Sequence, residues 1–107
     1  MQADQILNLM IKRLITTLNP EKIYLFGSRA TGTCTHDSDY DLMVVVPQSN
    51  LPRHKRNRIA FRALCGVGAS KDVIVLTSQE FEESSQVVCS LVSTVLREGI
   101  LVHATKK

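Results

Sequence analysis

Tryptophan is absent from the 107-residue chain, and aromatic residues make up only 5% of it. A stacked-ring platform for single-stranded nucleic acid is therefore poorly supplied. No apolar stretch approaches the roughly 18 residues of a membrane-spanning helix. Met1-Gln2-Ala3-Asp4 lacks the basic lead-in of a secretory signal. Cysteine is scarce as well: Cys34, Cys65 and Cys89 stand far apart, odd in number and without C-x-x-C spacing. That excludes a disulfide framework and fits reduced thiols in a cytoplasmic protein. His36 and His54 form no ligand pair with the cysteines, so structural zinc is not indicated. There is no internal repeat, low-complexity tract or dividing linker.

What is present is ordinary in bulk and uneven in detail. Hydrophobic residues make up 44% and charged ones 21%, which excludes intrinsic disorder. The net charge of +3 is local: residues 1–50 carry −1, residues 51–71 carry +6 and residues 72–107 carry −2. Arg53, Lys55, Arg56, Arg58, Arg62 and Lys71 make up the basic block. Such a block either attracts a polyanion or forms a solvated helix face.

Hydrophobic periodicity predicts the elements. Ile6, Met10, Leu14 and Leu18 recur at helical spacing, predicting a helix over 4–18 with Asp4 as N-cap and Asn19-Pro20 as its stop. Residues 22–26 and 41–46 read as strands, the second apolar throughout and so buried on both faces. A helix is expected over 52–65, with Ile59, Ala60 and Leu64 inward and Gly66 and Gly68 ending it. A third strand covers 72–76. Thr77-Ser78-Gln79-Glu80 is a capping box opening a short helix to about residue 83. A last helix is expected over 86–98, carrying Val87, Val88, Leu91, Val92 and Val95. Gly99 follows as a left-handed cap, and residues 100–102 are extended. Alternating helices and strands imply an α/β or α+β sandwich of few strands.

Chemistry concentrates in two places. Gly27 ends the first strand, where its lack of a side chain lets backbone N–H groups approach an anion, and Ser28 adds a hydroxyl. Arg29, next in the chain, is placed to touch phosphate or to lie in solvent. Asp39 and Asp41 alternate at the start of the second strand, on one side and roughly 7 Å apart. Asp72 opens the third strand as Asp41 opens the second. If those strands are neighbours, three carboxylates converge. They would then suit two Mg²⁺ ions about 3.5–4 Å apart, as in a phosphoryl displacement. Cys34 has no basic activator except Arg29, His36 has little support as a base, and Tyr24 and Tyr40 read as packing residues.

Gly27-Ser28, ten intervening residues, and Asp39-Tyr40-Asp41 together resemble the signature of DNA polymerase β-type nucleotidyltransferases, in particular the minimal nucleotidyltransferases (MNT). The resemblance extends through Ser38, the strand after Asp41, Asp72 in Asp-Val-Ile-Val, and the tail from Leu96 to Leu101. It implies a single nucleotidyltransferase domain over 1–107. The implied α+β fold is a small mixed sheet with helices packed mainly on one face. It also implies ATP as substrate, its phosphates held by Gly27 and Ser28. Asp39 and Asp41 would ligate two Mg²⁺ ions, and Asp72 would ligate the catalytic one and help deprotonate the attacking hydroxyl. Many such proteins are antitoxins that transfer AMP to a tyrosine of a partner HEPN-domain toxin. One departure is the tail Leu101-Val102-His103, where relatives often carry an aromatic after the leucine. Two alternatives stand beside this reading. One is an enzyme with a small-molecule, aminoglycoside-like acceptor, which would need an additional helical lobe. The other is a binding module that blocks its toxin by occlusion alone. For nucleic acid the basic block over 51–71 gives salt-dependent, unspecific binding at best, and its local charge is expected instead to help recognise an acidic partner or the triphosphate. Oligomeric state, including a homo-oligomer, is left open.

Overall fold

The computed structural model describes residues 2–27, 39–68, 70–87 and 90–105, with residues 2–4 described by their backbone alone. Helix α1 (Gln2–Leu18) buries Met10 and Leu14 completely, with Ile6, Leu7, Ile11, Ile15 and Leu18 packed around them. It begins before Asp4, which therefore lies in its first turn and is not its cap. Asn19 ends it at φ 50°, in the left-handed region that asparagine tolerates, with its N–H donated to the Ile15 carbonyl. Strand β1 (Lys22–Phe26) follows, then β2 (Tyr40–Val46), helix α2 (Arg53–Ala63), β3 (Lys71–Thr77), α3 (Ser78–Ser85), α4 (Leu91–Glu98) and β4 (Ile100–Ala104).

The strands form one mixed sheet in the order β3-β2-β1-β4. β1 runs antiparallel to both β2 and β4, while β2 and β3 are parallel. The apolar run of β2 is buried on both faces, as its sequence implied. Leu42, Val44 and Val46 join a core with Met10, Leu14, Ala60 and Leu64, under α1 and α2. Met43 and Val45 join Tyr24, Phe81, Val92 and Val95, under α3 and α4. The two long helices thus cover one face of the sheet, and two helices of 8 residues each cover the other. Tyr24 stacks on Phe81 at 5.5 Å between ring centroids, and Tyr40 is also buried, so both tyrosines pack as expected. Val102 packs against the first core although no aromatic follows Leu101.

Three local expectations are corrected. The last helix starts at Leu91, not at 86. Ser90 caps it by accepting the Ser93 N–H and donates its own hydroxyl to the Ser84 carbonyl, so a turn at Gln86 and Val87 precedes it, and Val87 is exposed. Val88 lies outside the described residues. Gly99 has φ −82° and is not a left-handed cap. It is needed because a Cβ there would meet the Val95 and Leu25 carbonyl oxygens at 2.6 and 3.0 Å. On α2, Ile59 is exposed and Arg56 is buried beside Ala60.

Arg56 is therefore not part of a basic surface. Its Nε donates to the Leu51 carbonyl at 3.1 Å and its Nη1 to the Val75 carbonyl at 3.2 Å. Both Nη atoms grip the Glu80 carboxylate, at 2.8 and 3.0 Å. Glu80 also closes the capping box of α3, accepting from Thr77 N–H while its own N–H donates to Thr77 Oγ1. The Arg56 hydrogen bonds, helped by the Thr77 N–H and the charges of Arg56 and Arg53, lower the Glu80 pKa from 4.5 to about 2, against the opposing effect of burial. Glu80→Gln keeps a capping side chain but leaves the buried guanidinium without its counter-charge. It should cost about 2–4 kcal/mol in urea unfolding at pH 7. Because the folded pKa lies below the unfolded one, this contribution is complete above about pH 5 and fades as pH falls toward 2. The gap between wild type and variant should close over that window.

Candidate active site

The site is assembled by strand register. In the parallel pair Asp41 lies opposite Asp72, and in the antiparallel pair it lies opposite Phe26, the residue before Gly27. One end of the sheet therefore carries Asp72, Asp41 and Gly27 in order across three strands. Alternation along β2 and β3 sets the two aspartates on the face of Met43 and Ile74, at the mouth of the second core. Asp39, exposed, precedes β2 on the same side as Asp41, with buried Tyr40 turned the other way. The Tyr40 N–H donates to the Ser70 carbonyl and clamps the two strand starts together.

Gly27 has φ 78°. A Cβ on it would also collide with the Asp41 carboxylate. Glycine is thus needed here for backbone conformation and for room at the carboxylate. The Asp41 pKa is raised, first by burial and then by the negative charges of Asp72 and Asp39. The three expected carboxylates are electrostatic neighbours, and Gly27 touches the central one. As they stand, no three His, Cys, Asp or Glu side chains among the described residues form a ready-made metal cage. Hard oxygen donors whose mutual repulsion raises one pKa nevertheless suit a divalent cation, which would remove that repulsion. Ser28 and Arg29, with Cys34, His36, Ser38 and Cys89, lie outside the described residues. Cys65 is a free, exposed thiol. No helix among the described residues is long and apolar enough to cross a membrane.

Sequence reading missed the contact of Gly27 with Asp41, because nothing local signals a packing partner fourteen positions away. It also missed the division of the basic block into a buried Arg56 and an exposed stripe on α2. The only available hint was Glu80, an acid whose second partner is not declared by the capping box.

A mixed sheet with paired carboxylates at one end, flanked by a glycine turn, has the architecture of nucleotidyltransferases. The family model described as "Nucleotidyltransferase domain" matches residues 7–102, and the chain belongs to that family. The fold is shared with a Sulfolobus solfataricus protein assigned as a nucleotidyltransferase, at TM-score 0.69 and 21% identity, over 96% of this chain and 81% of that one. A toxin–antitoxin structure with AMP-PNP matches at TM-score 0.67 and 26% identity, over 92% of this chain and 73% of that one. A mutant of the MntA–HpeT toxin–antitoxin matches at TM-score 0.66 and 24% identity, over 92% and 73%. No curated protein matches significantly.

Repulsion within the carboxylate cluster has a measurable consequence. Asp41→Asn removes the central charge while keeping size and shape. In metal-free buffer it should raise the melting temperature by about 2–4 °C relative to wild type. A lower melting temperature would show that the ionised carboxylate is held by partners that outweigh the repulsion.

Proposed function

We propose that this chain transfers AMP from ATP to a hydroxyl, that of a tyrosine, on a partner HEPN-type toxin, and so acts as an antitoxin. The observation that carries the reading is the side-by-side register of Asp41 and Asp72 with Asp39 beside them and Gly27 against them, in a chain of the nucleotidyltransferase family. The toxin–antitoxin relatives, one with AMP-PNP, support both the nucleotide and the kind of partner. A cytoplasmic setting agrees with the free thiol of Cys65.

Gly27, Ser28 and Arg29 bind the triphosphate, the backbone of Gly27 approaching closely because no Cβ intervenes. Asp39 and Asp41 would hold two Mg²⁺ ions, and Asp72 one of them. Bound there, the ions supply charge neutralisation at the α-phosphoryl oxygens and favour the ionised form of the hydroxyl. Asp72, exposed at the sheet margin, is the residue positioned to take the proton of the incoming hydroxyl. The hydroxyl oxygen forms a bond to the α-phosphorus, the bond from that phosphorus to the bridging oxygen breaks, and pyrophosphate leaves with the electron pair.

Incubating the purified chain with ATP, Mg²⁺ and its toxin should add about 329 Da per transfer to the toxin, the mass of an AMP residue. Asp41→Asn should fold and lose transfer by at least about a thousandfold, as expected for removal of a charge that acts at the transition state. A gain of about 80 Da would mean attack at the γ-phosphorus. Modification of an aminoglycoside with none of the toxin would move the acceptor to a small molecule. Toxin blocked without any transfer would leave an occluding module.

A further inference from the structure

Beyond the outer edge of β3 lies a groove of ≈ 480 Å³, with Asp72, Val73 and Ile74 along the strand and His54, Arg58 and Arg62 among the side chains of α2 facing them. The three α2 side chains repeat at every fourth position, so they form one stripe along the helix. All three are exposed, and among the described residues none has an ion-pair or hydrogen-bond partner for its side chain. This separates them from Arg56, whose charge is consumed internally. Phe61 sits in the same groove, and the Lys71 ammonium lies 5.0 Å from its ring centroid, adding a further cation at the Asp39 end.

Position decides what such a groove would receive. Across the sheet the order is Gly27, Asp41, Asp72, groove. If the triphosphate is held on the Gly27 side, in-line displacement requires the hydroxyl to arrive opposite the leaving pyrophosphate, on the Asp72 side. The chain bearing that hydroxyl then lies over the groove. We propose that the α2 stripe of Arg58, Arg62 and His54, with Lys71 at its end, is an acceptor-docking surface for an acidic polypeptide segment flanking the modified hydroxyl. This rests on the transfer reading above and adds the chemistry of the acceptor. Polypeptide fits better than nucleic acid because Phe61, the one aromatic ring among the described residues of the groove, has a face already covered by Lys71 and offers little stacking surface to a base. The apolar flank of Val73 and Ile74 further suits a side chain interspersed among acids.

The test uses two fluorescent decapeptides, each with one tyrosine, flanked by glutamates in one and by glutamines in the other. At low salt, anisotropy titration of the full chain should show the acidic peptide binding at least about tenfold tighter, with the difference shrinking as salt is added. The double variant Arg58→Gln/Arg62→Gln, altered only at exposed side chains and checked for folding by circular dichroism, should lose the preference while binding the glutamine peptide unchanged. Equal binding of the two peptides, or an unaltered preference in the double variant, overturns the proposal. So does an RNA 12-mer that displaces the acidic peptide and binds more tightly through the same two arginines. Mass spectrometry of the same mixtures with ATP and Mg²⁺ separates the two readings. Charge-dependent binding without AMP transfer counts against the transfer and leaves the docking surface standing. Transfer at equal rates to both peptides removes the docking surface and leaves the transfer.

Discussion

Arg56 joins parts of the molecule that the sheet would otherwise keep apart. It projects from α2, which covers one face, and grips Glu80 of α3, which packs on the other, passing around the free edge of β3. On the way it takes the Val75 carbonyl, while its neighbour Asn57 accepts the Val75 N–H at 2.7 Å. A residue of an edge strand, its side chain buried, is thereby satisfied on both the backbone groups it turns away from β2, which leaves less of that edge open to a foreign strand. The same contacts hold α2 alongside β3, and with it the exposed stripe that flanks Asp72.

The carboxylate end of the sheet is organised on the opposite principle. Arg56 and Glu80 cancel each other in a partly buried setting, whereas Asp41 is half-buried beside two charges of its own sign and packs against Gly27, which has no side chain. Burial and the charges of Asp72 and Asp39 hold the Asp41 carboxyl above its usual pKa there. A Lys or Arg near Asp41 would relieve the strain and occupy the position a cation needs. Among the basic residues of α2, Arg56 is instead spent on a salt bridge, and Arg58 and Arg62 on a solvent-facing stripe.

How much of this was legible follows from the range of each signal. The strands are short apolar runs and the α3 capping box is four consecutive residues, so both could be read locally and both stand. Asp39, Asp41 and Asp72 stood out because carboxylates at the heads of apolar strands are conspicuous, but their meeting depended on β2 and β3 being adjacent and in register, a property of the folded sheet. Arg56 was hidden because five other cations surround it in sequence and no local mark separates the one that turns inward. Val87 misled by continuing the periodicity of α4 backwards, where the Ser90 hydroxyl instead stops the helix. Gly99 was assigned a turn conformation, while what it supplies is space between the Val95 and Leu25 carbonyls.

The strand order has a consequence for how the chain is made. β1, in the interior of the sheet, is bordered on one side by β2, which follows it closely, and on the other by β4, whose residues are among the last of those described to be synthesised. As the polypeptide emerges, the side of β1 that will receive Ile100–Ala104 stays open through synthesis of both the β3 segment and α4. An unpaired apolar strand edge of this kind invites association between nascent chains on the same message, and long-range pairing is the slow part of folding. Closure of β4 onto β1 thus replaces the buried strand β1 at that edge with the largely exposed strand β4.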